Sequence, residues 1–559
     1  MISFDRLFAE YSFSLSILLV GILALFGGVL IHILFVNKDN KEETKMAQTG
    51  LVIVSNFSKL SHILASAKSH VSKTLYISFA PTPRLPLLSY NEHLTGIYTQ
   101  SIQICNNLDI RVLLEHLKNP LLKETRTLNP IDLVMFDHQP KSELKEFARS
   151  HFSNLKDDFS VMNIGDEEIL IKKDDSQESE GKTFDYVALG GTFDRLHTGH
   201  KILLSQGVLR ANKHLTVGVT DVNMIKSKKL WELIEPINIR INTIKQFLID
   251  IDPSLEYNVV PIQDMYGPTK DDPRLQLLVV SRETIKGGDK VNEKRFENKL
   301  SPMEVYCIEL AGESQIQNEE EEAKVSSSNR RMRLLGTLLK EPEIKPNLPA
   351  YPYIIGLTGG IASGKTKIAE RLGKMGGGVV NCDLLAHELY RPGQPMNATI
   401  AETFGQDIIT SDGEVDRKKL GNIVFNDPTR LIELNNLLWP AILELAVQRA
   451  QELGRQGFRV VVIEAAVLLQ AHWDRHCHQV WTSIIPPEEA VKRLIERNGL
   501  SEQAAKDRLA SQPTNTEQVA AANVVFSSQW SYEFTTAQVQ RAWDNLLHHL
   551  EGNKVKSNI

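Results

Sequence analysis

A glycine-rich turn between an apolar strand and a helix constrains the fold of this 559-residue chain more than any other feature. The stretch YIIGL begins at Tyr353 and leads into a complete GxxxxGK[ST] motif, after which KIAERLG has helical spacing. In such a loop backbone amides surround the β-phosphate of a nucleotide, the lysine reaches the β- and γ-phosphates, and the last hydroxyl holds Mg²⁺. The C-terminal part is therefore predicted to bind ATP and Mg²⁺ on a parallel α/β sheet. The motif residues are Gly359, Gly360, Ile361, Ala362, Ser363, Gly364, Lys365 and Thr366.

Two polar or proline-rich stretches divide the rest of the chain. Residues 171–183 (IKKDDSQESEGKT) are mostly polar, and residues 341–352 (EPEIKPNLPAYP) contain four prolines, so both are predicted to be linkers. Between and around them lie a small α/β domain of unassigned function at 46–170, a middle domain at 184–340 and a C-terminal domain at 353–559. Because strand and helix patterns alternate in the last two, both are predicted to be doubly wound parallel sheets.

The N-terminal segment 1–45 is predicted to anchor the chain in a membrane. No residue from 11 to 36 carries a fixed charge. A helix of that length spans about 39 Å, against about 30 Å for a bilayer core. A signal peptide is disfavoured because the apolar run is long and Asp5 and Glu10 precede it. Three lysines follow the segment, which favours a cytosolic location for the rest of the chain.

Residues 46–91 contain no acidic side chain and many serines, a composition similar to that of a mitochondrial presequence. Two interpretations stay open. Met46 is a second start that yields a form without the anchor, or the segment forms the helix and strand that open the first domain. Sequencing the N-termini of the native protein distinguishes chains that start at Met1 from chains that start at Met46.

Composition narrows the functional classes. A net charge of −6 without a long basic stripe predicts no nucleic-acid partner. The four cysteines are scattered without a CxxC pair, which argues against a disulfide framework or a cysteine zinc site and fits a reducing compartment. Nothing in the sequence identifies a protein partner.

The middle domain opens with FDYVALGGTFDRLHTGH, a strand from Phe184, a glycine turn and a helix predicted from Gly199. His197 and His200 then lie at a helix N-terminus, where backbone amides favour anions. Three roles are considered for them. Zinc ligation lacks a third ligand nearby, and a catalytic base needs a nucleophile to deprotonate. The strand, the glycines and the helix favour the third role, donation to phosphates.

These motifs, together with the later KVSSSNRRMRLLG (324–336), resemble the HxGH nucleotidyltransferases, specifically phosphopantetheine adenylyltransferase. The resemblance implies that 4'-phosphopantetheine attacks the α-phosphate of ATP and expels pyrophosphate. It implies that His200 stabilises the transition state, that Thr192 contacts the attacking phosphate, and that Lys228, with Lys226, attracts its charge. The implied ATP-binding residues are Gly191, His197, Ser326, Ser327, Ser328 and Arg330, with Arg295 as a weaker candidate.

In the C-terminal domain, GLTGGIASGKT, CDLLAHELYRPG, LNNLLWPAI and RLIERNGLSEQAAKDRLASQ resemble dephospho-CoA kinase. Asp383, just after a predicted strand, is positioned to accept a proton from an attacking hydroxyl, the alternative being a helix N-cap. Glu464, at the end of RVVVIEA, is a candidate for orienting Mg²⁺-bound water. Gln470 departs from the family pattern, which commonly has an acidic residue there. The arginines that match the lid closing over ATP are Arg493, Arg497 and Arg508.

The product of the first implied reaction is the substrate of the second. A fusion in this order resembles the bifunctional coenzyme A synthases of animals over about residues 184–545. The resemblance implies ATP as co-substrate and Mg²⁺ in both steps, 4'-phosphopantetheine and dephospho-CoA as substrates, and the mitochondrial outer membrane as the site of the anchor. Two alternatives stay open: a cytidylyl- or nicotinamide-mononucleotide adenylyltransferase fused to another small-molecule kinase, and a membrane-anchored scaffold whose catalytic modules have become regulatory.

Overall fold

The computed structural model describes residues 46–80, 87–119, 121–137, 143–165, 182–308, 318–322 and 326–557. The chain forms two compact units, one up to residue 181 together with Asp250–Pro253, the other from 182 to 249 and from 254 onward. The predicted anchor at 11–36 and most of the predicted linker 171–183 lie outside the described residues. Over the part that is described, no helix combines the length and apolarity needed to cross a bilayer.

The first unit is built on a five-stranded parallel sheet in the order β3-β2-β1-β4-β5. Its central strand begins at Ala47, so a chain that started at Met46 would retain all of this strand. The segment free of acidic residues thus forms a strand, a helix and a second strand of the folded unit. The strands are β1 Ala47–Val54, β2 Val71–Phe79, β3 Asp109–Val112, β4 Ile131–Phe136 and β5 Leu155–Asn163, and the helices are α1 Leu60–His70, α2 Leu87–Ile104, α3 Glu115–Lys118 and α4 Leu144–His151.

The second unit begins with another five-stranded parallel sheet, in the order β10-β9-β6-β7-β8. The direction in which strands are added reverses between β6 and β9, and such a switch point leaves a crevice at the carboxyl ends of the strands. The strands are β6 Phe184–Gly191, β7 Ala211–Thr220, β8 Glu256–Ile262, β9 Leu277–Ser281 and β10 Glu304–Ile308, and the helices are α5 Thr198–Arg210, α6 Val222–Ile225, α7 Ile237–Ile251, α8 Ile285–Glu297 and α9 Ser327–Leu334.

A third parallel sheet, in the order β12-β13-β11-β14-β15, completes the second unit. Alternate residues of β11 pack into cores on opposite faces of this sheet, with Ile354 on one side and Ile355 and Leu357 on the other. The strands are β11 Tyr353–Gly359, β12 Gly378–Asn381, β13 Val460–Glu464, β14 Gln479–Ile484 and β15 Val524–Ser527. The helices are α10 Lys365–Lys374, α11 Cys382–Leu389, α12 Pro395–Phe404, α13 Arg417–Asn426, α14 Pro428–Arg455, α15 Pro487–Asn498, α16 Glu502–Ala510, α17 Asn515–Ala521 and α18 Tyr532–Ser557.

The predicted α/β class with parallel sheets is confirmed. The predicted middle and C-terminal domains, 184–340 and 353–559, lie in the same compact unit. The residues just after α9 pair with the edge strand β15: the Gly336 N–H donates to the Val525 carbonyl at 2.9 Å, and the Leu339 N–H to the Asn523 carbonyl at 2.7 Å. The residues between α9 and the proline-rich segment 341–352 are therefore hydrogen-bonded to the third sheet.

Candidate active sites

The turn after β6 brings backbone and hydroxyl groups to the crevice at the switch point. Arg240 is 1% exposed and donates to the carbonyl oxygens of Thr192 at 2.8 Å and Thr220 at 2.9 Å. The Thr220 hydroxyl donates to the Thr192 hydroxyl at 3.1 Å. These bonds fix Thr192 on the wall of the crevice. Arg240 was not predicted, because the sequence shows only an arginine inside a helix, about 20 residues beyond β7.

The two histidines lie at the N-terminus of α5 and stack on each other, with ring centroids 3.7 Å apart. The Nε2 atom of His197 lies 3.3 Å from the Ser327 hydroxyl. Burial is the main cause that lowers the pKa of both rings, and the charge of Arg330 lowers it further. The pKa of His200 falls to about 3, with an added contribution from Lys228. Both imidazoles are therefore neutral at pH 7, and each presents one N–H donor.

The serines at the N-terminus of α9 are held against the turn after β6. Arg331 and Asp194 form an ion pair at 2.7 Å, and their side chains are 1% and 0% exposed. Arg331 also donates to the Ser328 hydroxyl at 3.3 Å, and the Ser327 hydroxyl donates to the Asp194 carbonyl at 3.2 Å. Ser326 caps the helix by accepting from a backbone N–H. This pair joins the two sequence motifs, although 137 residues separate its members.

These groups line a cavity of about 610 Å³ at the carboxyl ends of β6 and β9. Apolar side chains line it as well, among them Ile262, Met265 and Val291. A cavity that combines cationic and hydrogen-bonding groups with apolar side chains suits a ligand that joins phosphates to an apolar or aromatic part. Among the described residues, no three His, Cys, Asp or Glu side chains converge as a metal ion would require. The residues predicted from the sequence that line this cavity are Gly191, Thr192, His197, His200, Lys228, Ser326, Ser327 and Ser328.

Arg330, Lys226 and Arg295, which the sequence suggested as ligand-binding residues, are not among the residues that line the cavity. Arg331 lines the cavity, whereas Arg330 is not among the lining residues and acts through its charge on the histidines. Neighbouring helix positions point about 100° apart, so only one of this pair faces the crevice. Lys226 is exposed and does not line the cavity. Arg295 is fully buried, and its guanidinium donates to backbone carbonyls, including that of Thr269 at 2.6 Å.

The loop between β11 and α10 has a backbone that only glycine accommodates at key positions. Gly359 has φ +147°, and a Cβ there would lie 2.4 Å from the Ser483 carbonyl oxygen. Gly364 has φ +86° and immediately precedes the helix. The Lys365 ammonium donates to the carbonyls of Gly359 at 2.9 Å and Gly360 at 3.1 Å, and burial lowers its pKa. The lysine thus folds across the mouth of the loop, where a phosphate can replace the two carbonyls.

A hydroxyl and a carboxylate meet beside this loop. The Thr366 hydroxyl donates to one oxygen of Glu464 at 2.7 Å, and the Asn381 amide donates to the other at 2.8 Å. Glu464 is 5% exposed, and burial raises its pKa. Oxygen atoms of this kind are the ligands that Mg²⁺ prefers, so the donor set fits the predicted metal role of Thr366 and Glu464. Asn381 was not predicted, although it stands at the end of the strand beside the glutamate strand.

Asp383 lies exposed in the first turn of α11. The helix is capped by Asn381, whose side chain accepts from the Leu384 N–H at 3.0 Å, so Asp383 is not the N-cap. The charge of Asp383 contributes to the pKa shifts of both Lys365 and Glu464. The carboxylate therefore stands next to the phosphate loop and open to a ligand.

Two of the three predicted lid arginines reach the phosphate loop. A cavity of about 540 Å³ is lined by loop residues together with Arg493 and Arg497 on α15. Arg493 also donates to the Ala362 carbonyl at 3.2 Å and to the Ser528 hydroxyl at 2.8 Å. Arg508 on α16 is exposed and is not among the residues that line this cavity.

Two glutamines tie the segment after α16 to the kinase site. The Ile361 N–H of the phosphate loop donates to the Gln512 side chain at 2.7 Å. Gln470, which departs from the family pattern, donates to the Ser511 carbonyl at 3.2 Å. Gln470 thus places a neutral donor against the backbone of the segment that follows α16. Gln512 was missed because a lone polar residue after a helix carries no motif.

Comparison with known proteins matches both modules. The family model described as cytidylyltransferase-like matches residues 188–333, and that described as dephospho-CoA kinase matches residues 353–532. The dephospho-CoA kinase of Carboxydothermus hydrogenoformans is 37% identical over 186 residues, which cover 33% of this chain and 90% of that protein. That of Shouchella clausii is 38% identical over 194 residues, 35% of this chain and 98% of that protein. The solved dephospho-CoA kinase of Campylobacter jejuni is 25% identical and covers 36% of this chain and 98% of that chain, with a TM-score of 0.29.

Two crevices on parallel sheets, each at a glycine turn followed by a helix, coincide with the two family matches and indicate a transferase with a kinase module and a nucleotidyltransferase-like module. The chain belongs to the dephospho-CoA kinase family through its C-terminal module, and a cytidylyltransferase-like module precedes that kinase. This order is that of the bifunctional coenzyme A synthases, so the resemblance noted in the sequence is confirmed.

Proposed function

We propose that the chain catalyses two consecutive ATP-dependent steps. In the first, ATP and 4'-phosphopantetheine give dephospho-CoA and diphosphate, and in the second, ATP and dephospho-CoA give CoA and ADP. One observation carries the proposal: a cationic crevice suited to a triphosphate and a dephospho-CoA kinase module occur in one compact unit. A cytidylyltransferase-like module beside that kinase fits the reaction that supplies the kinase substrate.

In the first step, an oxygen of the pantetheine phosphate bonds to the α-phosphorus of ATP, and the bond to the departing pyrophosphate breaks. The attacking group is already an anion, so positioning and charge stabilisation suffice. His200 donates its N–H to the reacting phosphate. Lys228 and the Thr192 hydroxyl hold the attacking phosphate, while His197 and the serines at the N-terminus of α9 hold the pyrophosphate.

In the second step, the hydroxyl oxygen of dephospho-CoA bonds to the γ-phosphorus of ATP, the bond to the departing ADP breaks, and Asp383 accepts the hydroxyl proton. Lys365 exchanges its contacts with the Gly359 and Gly360 carbonyls for contacts with the β- and γ-phosphates. A Mg²⁺ ion held by the Thr366 hydroxyl, with Glu464 behind it, would neutralise phosphate charge. Arg493 and Arg497 close the cavity from the side of the lid.

Product analysis of the full chain tests both assignments. With 4'-phosphopantetheine, ATP and Mg²⁺, the wild type is expected to make CoA, His200→Ala to make neither product, and Asp383→Asn to accumulate dephospho-CoA. His476→Ala and Asp412→Asn change exposed residues of the same types and are expected to leave both steps intact. Phosphorylation of added dephospho-CoA without any adenylyl transfer would favour another substrate for the first module. The absence of both reactions would favour the scaffold alternative.

We propose further that residues 11–36 attach the chain to a membrane with the catalytic modules in the cytosol. The uncharged stretch and the lysines after it support this, and the family resemblance supports the mitochondrial outer membrane. Two separate samples of intact mitochondria test it, one extracted with alkali and the other treated with protease. After alkaline extraction the full chain is expected in the membrane pellet, and protease is expected to digest its catalytic modules in the untreated mitochondria. Release into the alkaline supernatant would contradict the anchor.

A further inference from the structure

The two catalytic modules of the second unit share a hydrophobic cluster, called here the shared cluster. All eight of its central side chains are at most 7% exposed, and four come from each module. Met332 and Leu335 of this cluster belong to α9 or follow it directly, and α9 carries the serines of the nucleotidyl-transfer crevice. The helix α9, which carries the serines of the first crevice, is thus packed against hydrophobic residues of the kinase module. The shared cluster comprises Leu230, Leu233, Met332, Leu335, Ile484, Ala522, Val525 and Phe534.

Polar contacts fix the carboxyl end of α9 to the kinase module. Arg541 on α18 donates to the Arg333 carbonyl at 2.9 Å and to the Leu335 carbonyl at 3.2 Å. These are carbonyls at the end of the helix, which otherwise lack a helical partner. Gly336 has φ +74°, and a Cβ there would lie 2.1 Å from the Gln538 carbonyl oxygen, so the chain turns directly against α18. Since α9 has only two turns, a restraint at its carboxyl end also restrains its serine end.

A second contact reaches the other side of the crevice. Asn515, the first residue of α17, donates to the Glu232 carboxylate at 2.9 Å and to the Ile485 carbonyl at 2.9 Å. Glu232 lies in the short helical turn Trp231–Leu233, which follows the lysines of the crevice. Asn515 itself follows Gln512, which accepts from the phosphate loop of the kinase. The kinase segment from Gln512 to Asn515 therefore contacts both the phosphate loop of the kinase and the helical turn that follows the lysines of the first crevice.

We propose that Arg541 and Asn515 of the kinase module are positioning residues for nucleotidyl transfer. Neither lines the crevice, and both act through the elements that do. Arg541 holds α9 so that Ser327 stays beside His197, and Asn515 holds the turn after Lys228. The first module consequently needs the folded kinase module to assemble its own site. This inference rests on the proposed adenylyl transfer.

Separate assays of the two half-reactions on the full chain test the proposal. Adenylyl transfer is followed as pyrophosphate release from ATP with 4'-phosphopantetheine, and kinase activity as ADP release with dephospho-CoA. A misplacement of about 1 Å costs about 10²-fold in rate. Arg541→Ala is therefore expected to lower kcat for adenylyl transfer by about 10- to 100-fold while kinase kcat stays within about twofold. Arg541→Lys, which retains a donor, is expected to restore much of the loss, and Gln540→Ala, the exposed neighbour on α18, to cost nothing.

The pair Asn515 and Glu232 covers the case in which Arg541→Ala disturbs folding and both half-reactions fall. Asn515→Ala, Glu232→Ala and the double variant form a cycle across the module boundary. Each single change is expected to lower adenylyl-transfer kcat, and the double change to add little to either, because both remove one contact. Wild-type kinetics in Arg541→Ala and in this cycle, or strictly additive losses in the cycle, would overturn the inference. Failure of the wild type to transfer adenylate would instead overturn the proposed function.

Discussion

Removal of the Asp194 carboxylate tests the core of the first site most sharply. Its side chain is fully buried and pairs with Arg331 at 2.7 Å and Arg195 at 2.9 Å, and it also accepts from the Glu235 N–H at 3.0 Å. Asp194→Ala leaves the Arg331 guanidinium, itself 1% exposed, without its carboxylate. Breaking a buried ion pair from one side costs about 3–5 kcal/mol, because an uncompensated charge remains in a low-dielectric interior.

Tryptophan fluorescence measures this loss of unfolding free energy in the second unit, which contains Asp194. All six tryptophans belong to the second unit, so a urea titration reports on that unit alone. With a urea dependence of about 3 kcal/mol per M or more, the expected loss moves the unfolding midpoint down by up to about 1.5 M. Adenylyl transfer should fall as well, since Arg331 holds the Ser328 hydroxyl. The tryptophans are Trp231, Trp439, Trp473, Trp481, Trp530 and Trp543.

The pair of Asp185 with Lys213 offers a matched control in the same module. Its atoms are also 2.7 Å apart, but the two side chains are 38% and 66% exposed. Solvent screens such a pair, so Asp185→Ala should leave the midpoint where it is. If Asp194→Ala and Asp185→Ala move the midpoint equally little, the reasoning about the buried pair is refuted.

Other predictions concern single groups of the two sites. Thr366→Val should lower kinase kcat by about 10²- to 10³-fold, measured as ADP release with dephospho-CoA. Thr366→Ser keeps the hydroxyl and should stay close to wild type. If Thr366→Val and wild type have equal rates, Thr366 does not hold the metal ion. Gly359→Ala should abolish that half-reaction because its Cβ would lie 2.4 Å from a β14 carbonyl, whereas Gly552→Ala has open space and should not. The pKa of His200, lowered to about 3, makes the native chain bind fewer protons than the unfolded chain below pH 6.5. Unfolding free energy should therefore fall by up to about 1.4 kcal/mol per pH unit below 6.5 in wild type relative to His200→Asn, and parallel pH curves would contradict this.

Groups close together in sequence could be predicted well. The phosphate loop is specified by a strand, a glycine run and a helix within about 20 residues, and in the structure Lys365 and Thr366 are the first residues of that helix. The histidine pair likewise stands at the start of α5, because a glycine turn followed by a helix leaves no other arrangement nearby. Local backbone geometry decides both cases.

Groups that meet across long sequence separations could not be predicted. Nothing in the local pattern shows that Asp194 pairs with Arg331, or that Arg240 clamps the turn at Thr192. The preference for Arg331 over its neighbour depends on which face of α9 meets the crevice, and that face is set by packing on the kinase module. The pairing of Gly336 with β15 likewise joins residues far apart in sequence and has no local signal.

The stoichiometry of the complete reaction tests the central claim most directly. The full chain is incubated with limiting 4'-phosphopantetheine, excess ATP and Mg²⁺, and CoA, pyrophosphate and ADP are quantified together. Two consecutive transfers in one chain predict one pyrophosphate and one ADP for each CoA formed. ADP formation from added dephospho-CoA with no pyrophosphate released from 4'-phosphopantetheine would contradict the account, because the first crevice would then serve a different substrate.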